Sequence, residues 1–143
     1  MKQVTILLAV VGIIIASCNH DVSTPQNDNN NNNTSTSISG SFIITKFTDD
    51  NLSEEKTANF NGYTFVFTAD GKISALRNNI AVPGSYEETP AHEGEGAKLE
   101  INFSDAPLNE LNKNWQVDLI SDNAIHLSDD DASSGEVLEF TAQ

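Results

Sequence analysis

Alternation of apolar and polar residues dominates the chain from residue 38 to residue 143, and this period of two is typical of half-buried β-strands. The clearest case is 97–103, where Leu99, Ile101 and Phe103 share one face and polar residues occupy the other. Asp70-Gly71 predicts a hairpin turn, because glycine readily adopts the positive φ that the turn needs. The predicted strands are 41–48, 62–68, 72–76, 82–88, 97–103, 115–119, 124–128 and 136–141.

Eight short strands separated mostly by hairpin-length turns predict an all-β domain, an eight-stranded antiparallel up-and-down barrel or a closely related sandwich. Segment 49–58 is predicted to form a loop or one helical turn, and 104–112 a short helical turn at one end. A barrel of eight strands is just wide enough for its own side chains or one small ligand. The aromatic residues assigned to its interior are Tyr63, Phe65, Phe67, Phe103, Trp115 and Phe140. We therefore expect a filled interior with at most a small pocket at one open end.

A short apolar run, 4–16, follows Lys2 and ends at Ile15-Ala16-Ser17-Cys18. A basic start, a short apolar middle and small residues before the cut predict a secretory signal over 1–17. The run is shorter than the roughly 20 residues of a membrane span, although an uncleaved N-terminal anchor is the alternative. The last four residues resemble the lipobox of bacterial lipoproteins, which implies that Cys18 is lipidated and becomes the N-terminus.

Residues 18–37 join the cysteine to the barrel domain, which we assign to 38–143. The linker contains five consecutive asparagines and no hydrophobic periodicity, so it is expected to be disordered. The lipoprotein resemblance implies a protein anchored in the outer membrane of the bacterial cell envelope, because Asn19 follows Cys18 where an aspartate would retain it in the inner membrane. Its periplasmic or surface-exposed side is left open.

The formal net charge of −14 argues against nucleic acid as a partner, since phosphates require a basic face. Cys18 is the single cysteine, so the exported domain is expected to hold together without disulfides. The predicted partners are the membrane, through the lipid anchor, and a small ligand or an envelope protein. The domain itself is expected to be monomeric.

Five short motifs resemble the small lipocalin-like lipoproteins of Bacteroidota, and together they span most of the domain. The motifs are Gly40-Ser41-Phe42, the strand from Tyr63 to Gly71 ending in Asp-Gly, Gly84-Ser85-Tyr86, Leu111-Asn112 before Trp115, and Leu138-Glu139-Phe140. The resemblance implies a lipocalin-like barrel on a membrane-anchored protein.

Two acidic loops are candidates for metal binding. His92-Glu93-Gly94-Glu95 offers an imidazole and two carboxylates, but residues this close in a glycine-rich loop are typical of a solvated segment. Segment 129–135 (DDDASSG) is similar to a calcium loop, except that glycine falls one position late and Phe140 stands where a bidentate glutamate belongs. We predict no metal site and no cofactor, and leave open whether 92–96 and 129–131 bind calcium.

No constellation of nucleophile, base and oxyanion donor is recognisable, so the protein is expected not to be an enzyme. His126 alternates with apolar neighbours and is predicted on the outer face, whereas Trp115, Val117 and Leu119 are predicted to share an inward face. Two functions remain. The first is a binding module that holds a small ligand, glycan or peptide at one rim of the barrel. The alternative is a structural or accessory envelope protein that docks onto a larger assembly through its outer surface.

Overall fold

The computed structural model describes residues 37–49, 54–131 and 134–143. Within these ranges the chain forms nine strands and two short 3₁₀ helices. The strands are β1 (Gly40–Asp49), β2 (Glu54–Glu55), β3 (Thr64–Thr68), β4 (Lys72–Arg77), β5 (Ile80–Thr89), β6 (Lys98–Phe103), β7 (Lys113–Ile120), β8 (Ala124–Ser128) and β9 (Val137–Ala142). The 3₁₀ helices are η1 (Thr57–Phe60) and η2 (Leu108–Leu111).

The strands form one antiparallel sheet that closes on itself. Neighbours follow the order β1-β3-β4-β5-β6-β7-β8-β9, and β9 pairs back to β1 from Phe42↔Ala142 to Thr48↔Val137. The two-residue strand β2 is attached to the end of β1. The prediction of an all-β, eight-stranded antiparallel barrel is therefore confirmed. Closure matters because it gives the outermost strands partners and removes edges open to aggregation.

Apolar side chains fill the inside of the barrel. Twenty apolar residues form one buried cluster, and Phe65, Trp115 and Phe140 are 0% exposed. Phe65 makes edge-to-face contacts with the rings of Phe103 and Phe140, an arrangement favoured by the quadrupoles of aromatic rings. The buried indole N–H of Trp115 donates a hydrogen bond to the Leu111 carbonyl oxygen at 3.0 Å. Trp115 is thus core, as predicted.

One inward assignment holds in part and one is wrong. Tyr63 precedes β3 and is half-buried, and it packs against the core cluster with its ring centroid 6.1 Å from that of Phe65. Leu119 is 43% exposed because a β-bulge shifts the register of β7: Val117 pairs with Leu127, but Leu119 pairs with His126. The extra residue between these pairs reverses the faces that follow it. A strict alternation read from sequence cannot anticipate this insertion.

The barrel has two differently closed ends. The lower end carries the start of β1, the β3–β4 turn (69–71) and the long β5–β6 loop (90–97). Ile38, 3% exposed, closes this end from inside. The upper end carries the β4–β5 turn (78–79), η1 and η2, and it is covered by buried Phe60, Leu108 and Leu111. The short helical turn predicted within 104–112 is η2. Segment 49–58, predicted as a loop or one helical turn, differs: its described residues hold the end of β1, the strand β2 and only the start of η1.

Candidate functional site at the upper rim

A shallow cavity of about 220 Å³ lies at the lower end. Its lining residues are Ser37, Ala69, Gly71, Tyr86, Glu87 and Glu88. This volume is below the roughly 300 Å³ at which ligand pockets begin. It fits the expected small pocket at one end of the barrel.

The polar side chains of this cavity form hydrogen bonds with backbone groups of the same chain. The Tyr86 hydroxyl lies 2.8 Å from the Ile38 carbonyl oxygen and 2.9 Å from that of Thr68, and shares its one proton between them. The backbone N–H of Ile38 donates to Glu88 Oε1 at 3.1 Å. Burial raises the pKa of Glu88, and this hydrogen bond offsets part of that rise. Both side chains therefore fasten the segment that enters β1.

A cluster of charged side chains at the upper end is likewise paired within the protein. Lys113 Nζ contacts the carboxylates of Asp129 and Glu136, and lies 5.5 Å from the centroid of the Trp115 ring. Burial acts to lower the pKa of Lys113, but its two carboxylate partners outweigh burial and raise it. The hydrogen bond from Lys113 lowers the pKa of Asp129, whereas burial raises that of Glu136, which is 7% exposed. Each charge has an opposite partner that offsets part of its loss of water, so these side chains are engaged with one another.

The two acidic loops are not drawn together into a metal site. Asp129 contacts Lys113, and Asp130 contacts Lys98 at 2.7 Å. In the other loop, His92 and Glu95 exchange backbone hydrogen bonds and their side chains are exposed. Across ranges 37–49, 54–131 and 134–143, no three histidine, cysteine or acidic side chains are grouped to hold a metal ion.

The remaining predicted features lie elsewhere. His126 is half-buried between buried Ile125 and Leu127, on the outer face as predicted. The signal, Cys18 and the linker as far as residue 36 lie outside the described residues, so their predictions stay predictions. No helix in the described part of the chain has the length and apolar character needed to cross a membrane.

Charge is unevenly distributed around the barrel. Residues 56–86, which contain β3, β4 and the upper half of β5, carry three cationic side chains and one acidic one. Residues 87–143 carry two cationic side chains and fourteen acidic ones. The sheet order places β3, β4 and β5 side by side. One wall of an acidic protein is therefore nearly free of negative charge.

Arg77 stands on this wall and differs from every described lysine. The lysine ion pairs are Lys46–Glu139, Lys56 with both Asp49 and Glu110, Lys72–Asp70, Lys98–Asp130, and Lys113 with both Asp129 and Glu136. Arg77 has no ion pair with any described carboxylate, and its guanidinium carbon lies 5.0 Å from the centroid of the Tyr63 ring. It is the only arginine in the chain.

An exposed apolar side chain lies beside Arg77 at the tip of the β4–β5 hairpin. Ile80, 69% exposed, is directly opposite Arg77, and paired residues share one face of a sheet. Leu76, 37% exposed, precedes Arg77 in β4 and therefore lies on the other face. Asn78 and Asn79 form the turn with positive φ values of 52° and 63°, the geometry of a tight type I′ hairpin. We call Tyr63, Arg77 and Ile80 the rim patch.

The hairpin tip also extends beyond the next strand. β6 ends at Phe103, which is opposite Gly84, so the segment 80–83 of β5 has no β6 partner. Pro83 lies in this segment and lacks a backbone N–H, so the segment is a poor template for an added strand. Recognition here would therefore depend on side chains.

The sequence alone does not single out the rim patch. Two signals are present: the only arginine of the chain, and the acid-free stretch from residue 71 to residue 86. The observed register of the β3–β4 hairpin, Thr64↔Leu76, adds a third, because it places Tyr63 across from Arg77. The predicted hairpin turn at Asp70-Gly71 is thus what brings these two residues together.

The closed eight-stranded barrel fits a lipocalin-like fold, and its interior is filled by apolar side chains. The chain is similar to the crystal structure of a DUF4847 family protein from Bacteroides vulgatus, at 18% sequence identity and a TM-score of 0.49. That similarity covers 76% of this chain and 95% of the other. No protein-family model and no curated protein matches the sequence.

Proposed function

We propose that this protein is a non-enzymatic binding module of the bacterial cell envelope, anchored in the outer membrane through lipidated Cys18. It binds a small ligand, glycan or peptide at the rim patch rather than inside the barrel. The observation that carries this proposal is the contrast between a filled interior and an exposed arginine set between Tyr63 and Ile80. Tyrosine and arginine are the residue types enriched where binding energy concentrates.

The two ends of the barrel suit this function. The chain enters the barrel at the lower end, where Ile38 is fastened by Tyr86 and Glu88. The rim patch lies at the upper end, on the β4–β5 hairpin. The rim patch therefore lies at the end of the barrel away from the segment through which the predicted tether would enter.

A photo-crosslinking amino acid at position 80 tests the proposal in the source bacterium. We expect a discrete product of higher mass from position 80, and none from position 114, where exposed Asn114 lies on the opposite wall. The mass of the product separates a small ligand from a polypeptide. Equal products from both positions, or none from position 80, would contradict binding at the rim patch.

Docking onto a larger assembly is the second candidate, favoured by an uncharged stretch of the outer wall. Two cross-strand rows make up this stretch: Ser41, Val66, Ser74 and Pro83, and Thr64, Leu76 and Ala81. Interface centres are depleted in charge in the same way. A crosslinker at Ser41 tests this candidate: a polypeptide product from position 41 with none from position 80 favours docking through the wall.

A further inference from the structure

We infer that the rim patch recognises a carboxylate group flanked by apolar side chains, as in a peptide segment that is otherwise neutral or basic. The carboxylate pairs with Arg77, and the apolar side chains pack on Ile80 and beside Tyr63. This inference rests on the proposed function and names the chemistry of the ligand.

The first argument is the isolation of Arg77 in an acidic protein. The chain holds 21 acidic residues, and all five described lysines contact a carboxylate. The one acidic residue between 56 and 86 is Asp70, which lies at the lower end and contacts Lys72 and Thr68. No carboxylate of its own wall therefore competes for the Arg77 guanidinium.

The second argument is the chemistry of a guanidinium resting on a ring. Arginine presents five N–H donors in a planar fork that matches the two oxygens of a carboxylate. Contact with the Tyr63 ring restrains the side chain and leaves the donors of its outer edge available. A restrained fork loses less conformational entropy when a carboxylate binds.

The third argument is the position of the apolar side chains. Ile80 lies directly across the hairpin from Arg77 and is the most exposed of the large apolar residues described. The Tyr63 ring covers the other side of the guanidinium. Apolar contacts beside an ion pair exclude water from it, and exclusion of water strengthens the pair.

The charge of the other walls limits what the ligand can be. Residues 87–143 repel a strongly acidic polymer, and this repulsion extends over about 8 Å at physiological ionic strength. A single carboxylate in a neutral or basic segment avoids that repulsion and still pairs with Arg77. Such a segment is the ligand that fits the rim patch.

Two blocked tripeptides test the inference by NMR titration of the ¹⁵N-labelled full-length chain in a mild detergent. The first is acetylated, amidated leucine–glutamate–leucine, and the second has glutamine in place of glutamate. We expect saturable shifts of the Arg77 side-chain N–H and the 76–81 amides with the glutamate peptide. Binding of the glutamine peptide should be weaker by about tenfold or more, because it lacks the charge-assisted hydrogen bonds.

Variants connect this difference to Arg77. Arg77→Gln should remove the preference for the glutamate peptide, while Lys72→Gln, on the same strand at the lower end, should preserve it. An unchanged amide spectrum away from the substitution confirms that each variant is folded. A preference that survives in Arg77→Gln overturns the inference.

The remaining outcomes separate this inference from the proposed function. Equal binding of both peptides at the rim patch overturns the carboxylate inference and leaves rim binding intact. Shifts confined to other walls overturn the inference. Shifts that depend on protein concentration alone would mean that a second copy of the chain occupies the rim patch, and they overturn it as well. If neither peptide shifts the signals of the rim patch, the inference is also overturned. The crosslinker at position 80 then tests the proposed function separately.

Discussion

Ile38 is held by side chains that are themselves partly buried. Glu88 accepts a hydrogen bond from its backbone N–H, and Tyr86 contacts its carbonyl oxygen. Burial is the largest influence on both side chains and raises the pKa of each. A partly buried carboxylate with a single backbone donor is poorly compensated for the water it has lost, so its charged form costs stability.

The pH dependence of stability at Glu88 follows from this. Because the folded pKa lies above the ordinary 4.5 of a glutamate, the group contributes fully below that value, and its contribution is lost as pH rises through the folded pKa. Glu88→Gln keeps an oxygen acceptor for Ile38 and removes the charge. The free energy of unfolding of this variant, minus that of the unmodified protein, should therefore be larger at about pH 7 than at about pH 4, as measured by urea unfolding.

Glu87→Gln is the matched control, since it removes the same charge from an exposed neighbouring position. Its stability relative to the unmodified protein should change less between the two pH values than that of Glu88→Gln. Parallel behaviour of the two variants would mean that net charge, and not burial of Glu88, governs the effect.

At the scale of elements, the approach of β5 to β6 depends on a glycine. A Cβ atom at Gly84 would lie 2.6 Å from the Asn102 carbonyl oxygen and 2.7 Å from the Phe103 ring. Backbone and a core ring cannot move aside without disturbing the sheet. This position is therefore closed to larger residues for steric reasons.

Gly84→Ala should lower the free energy of unfolding by about 1–3 kcal/mol, because overpacking forces backbone and side-chain shifts. Gly96→Ala is the control: the new methyl group would meet the side chain of Gln116, whose flexible end can swing away. Chemical denaturation of both variants measures the difference. An equal loss in the two would contradict the steric account.

At the scale of the whole molecule, the predicted anchor determines where the barrel acts. Each buried methylene of an acyl chain contributes about 0.8 kcal/mol to membrane binding, so loss of the acyl chains should abolish stable attachment. Cys18→Ser should therefore shift the protein from the membrane fraction to the soluble fraction of lysed cells. Immunoblotting of the two fractions measures this shift.

Ser17→Ala is the control for that experiment, because it keeps a small residue before the cysteine and should leave the protein membrane-bound. Membrane attachment of Cys18→Ser at the unmodified level would favour the alternative, an uncleaved apolar anchor over residues 4–16.

Local sequence determined which segments become strands and where most of them turn. Alternation exposes one face of a strand to water and buries the other, and this effect is readable from a few consecutive residues. The β8 strand was predicted at its observed bounds, and Phe65, Phe67, Phe103, Trp115 and Phe140 were assigned correctly to the interior. Eight such strands with short turns were enough to predict the antiparallel barrel.

Tertiary structure alone decided several features of the surface. The bulge that exposes Leu119 arises from the pairing of β7 with β8. Ion pairs join segments as distant in sequence as Lys98 and Asp130. Pairing between segments far apart in sequence is set by register and closure, which no local pattern encodes. For that reason the sequence predicted the barrel, and only the folded structure shows an arginine at its rim that has no ion pair with any described carboxylate.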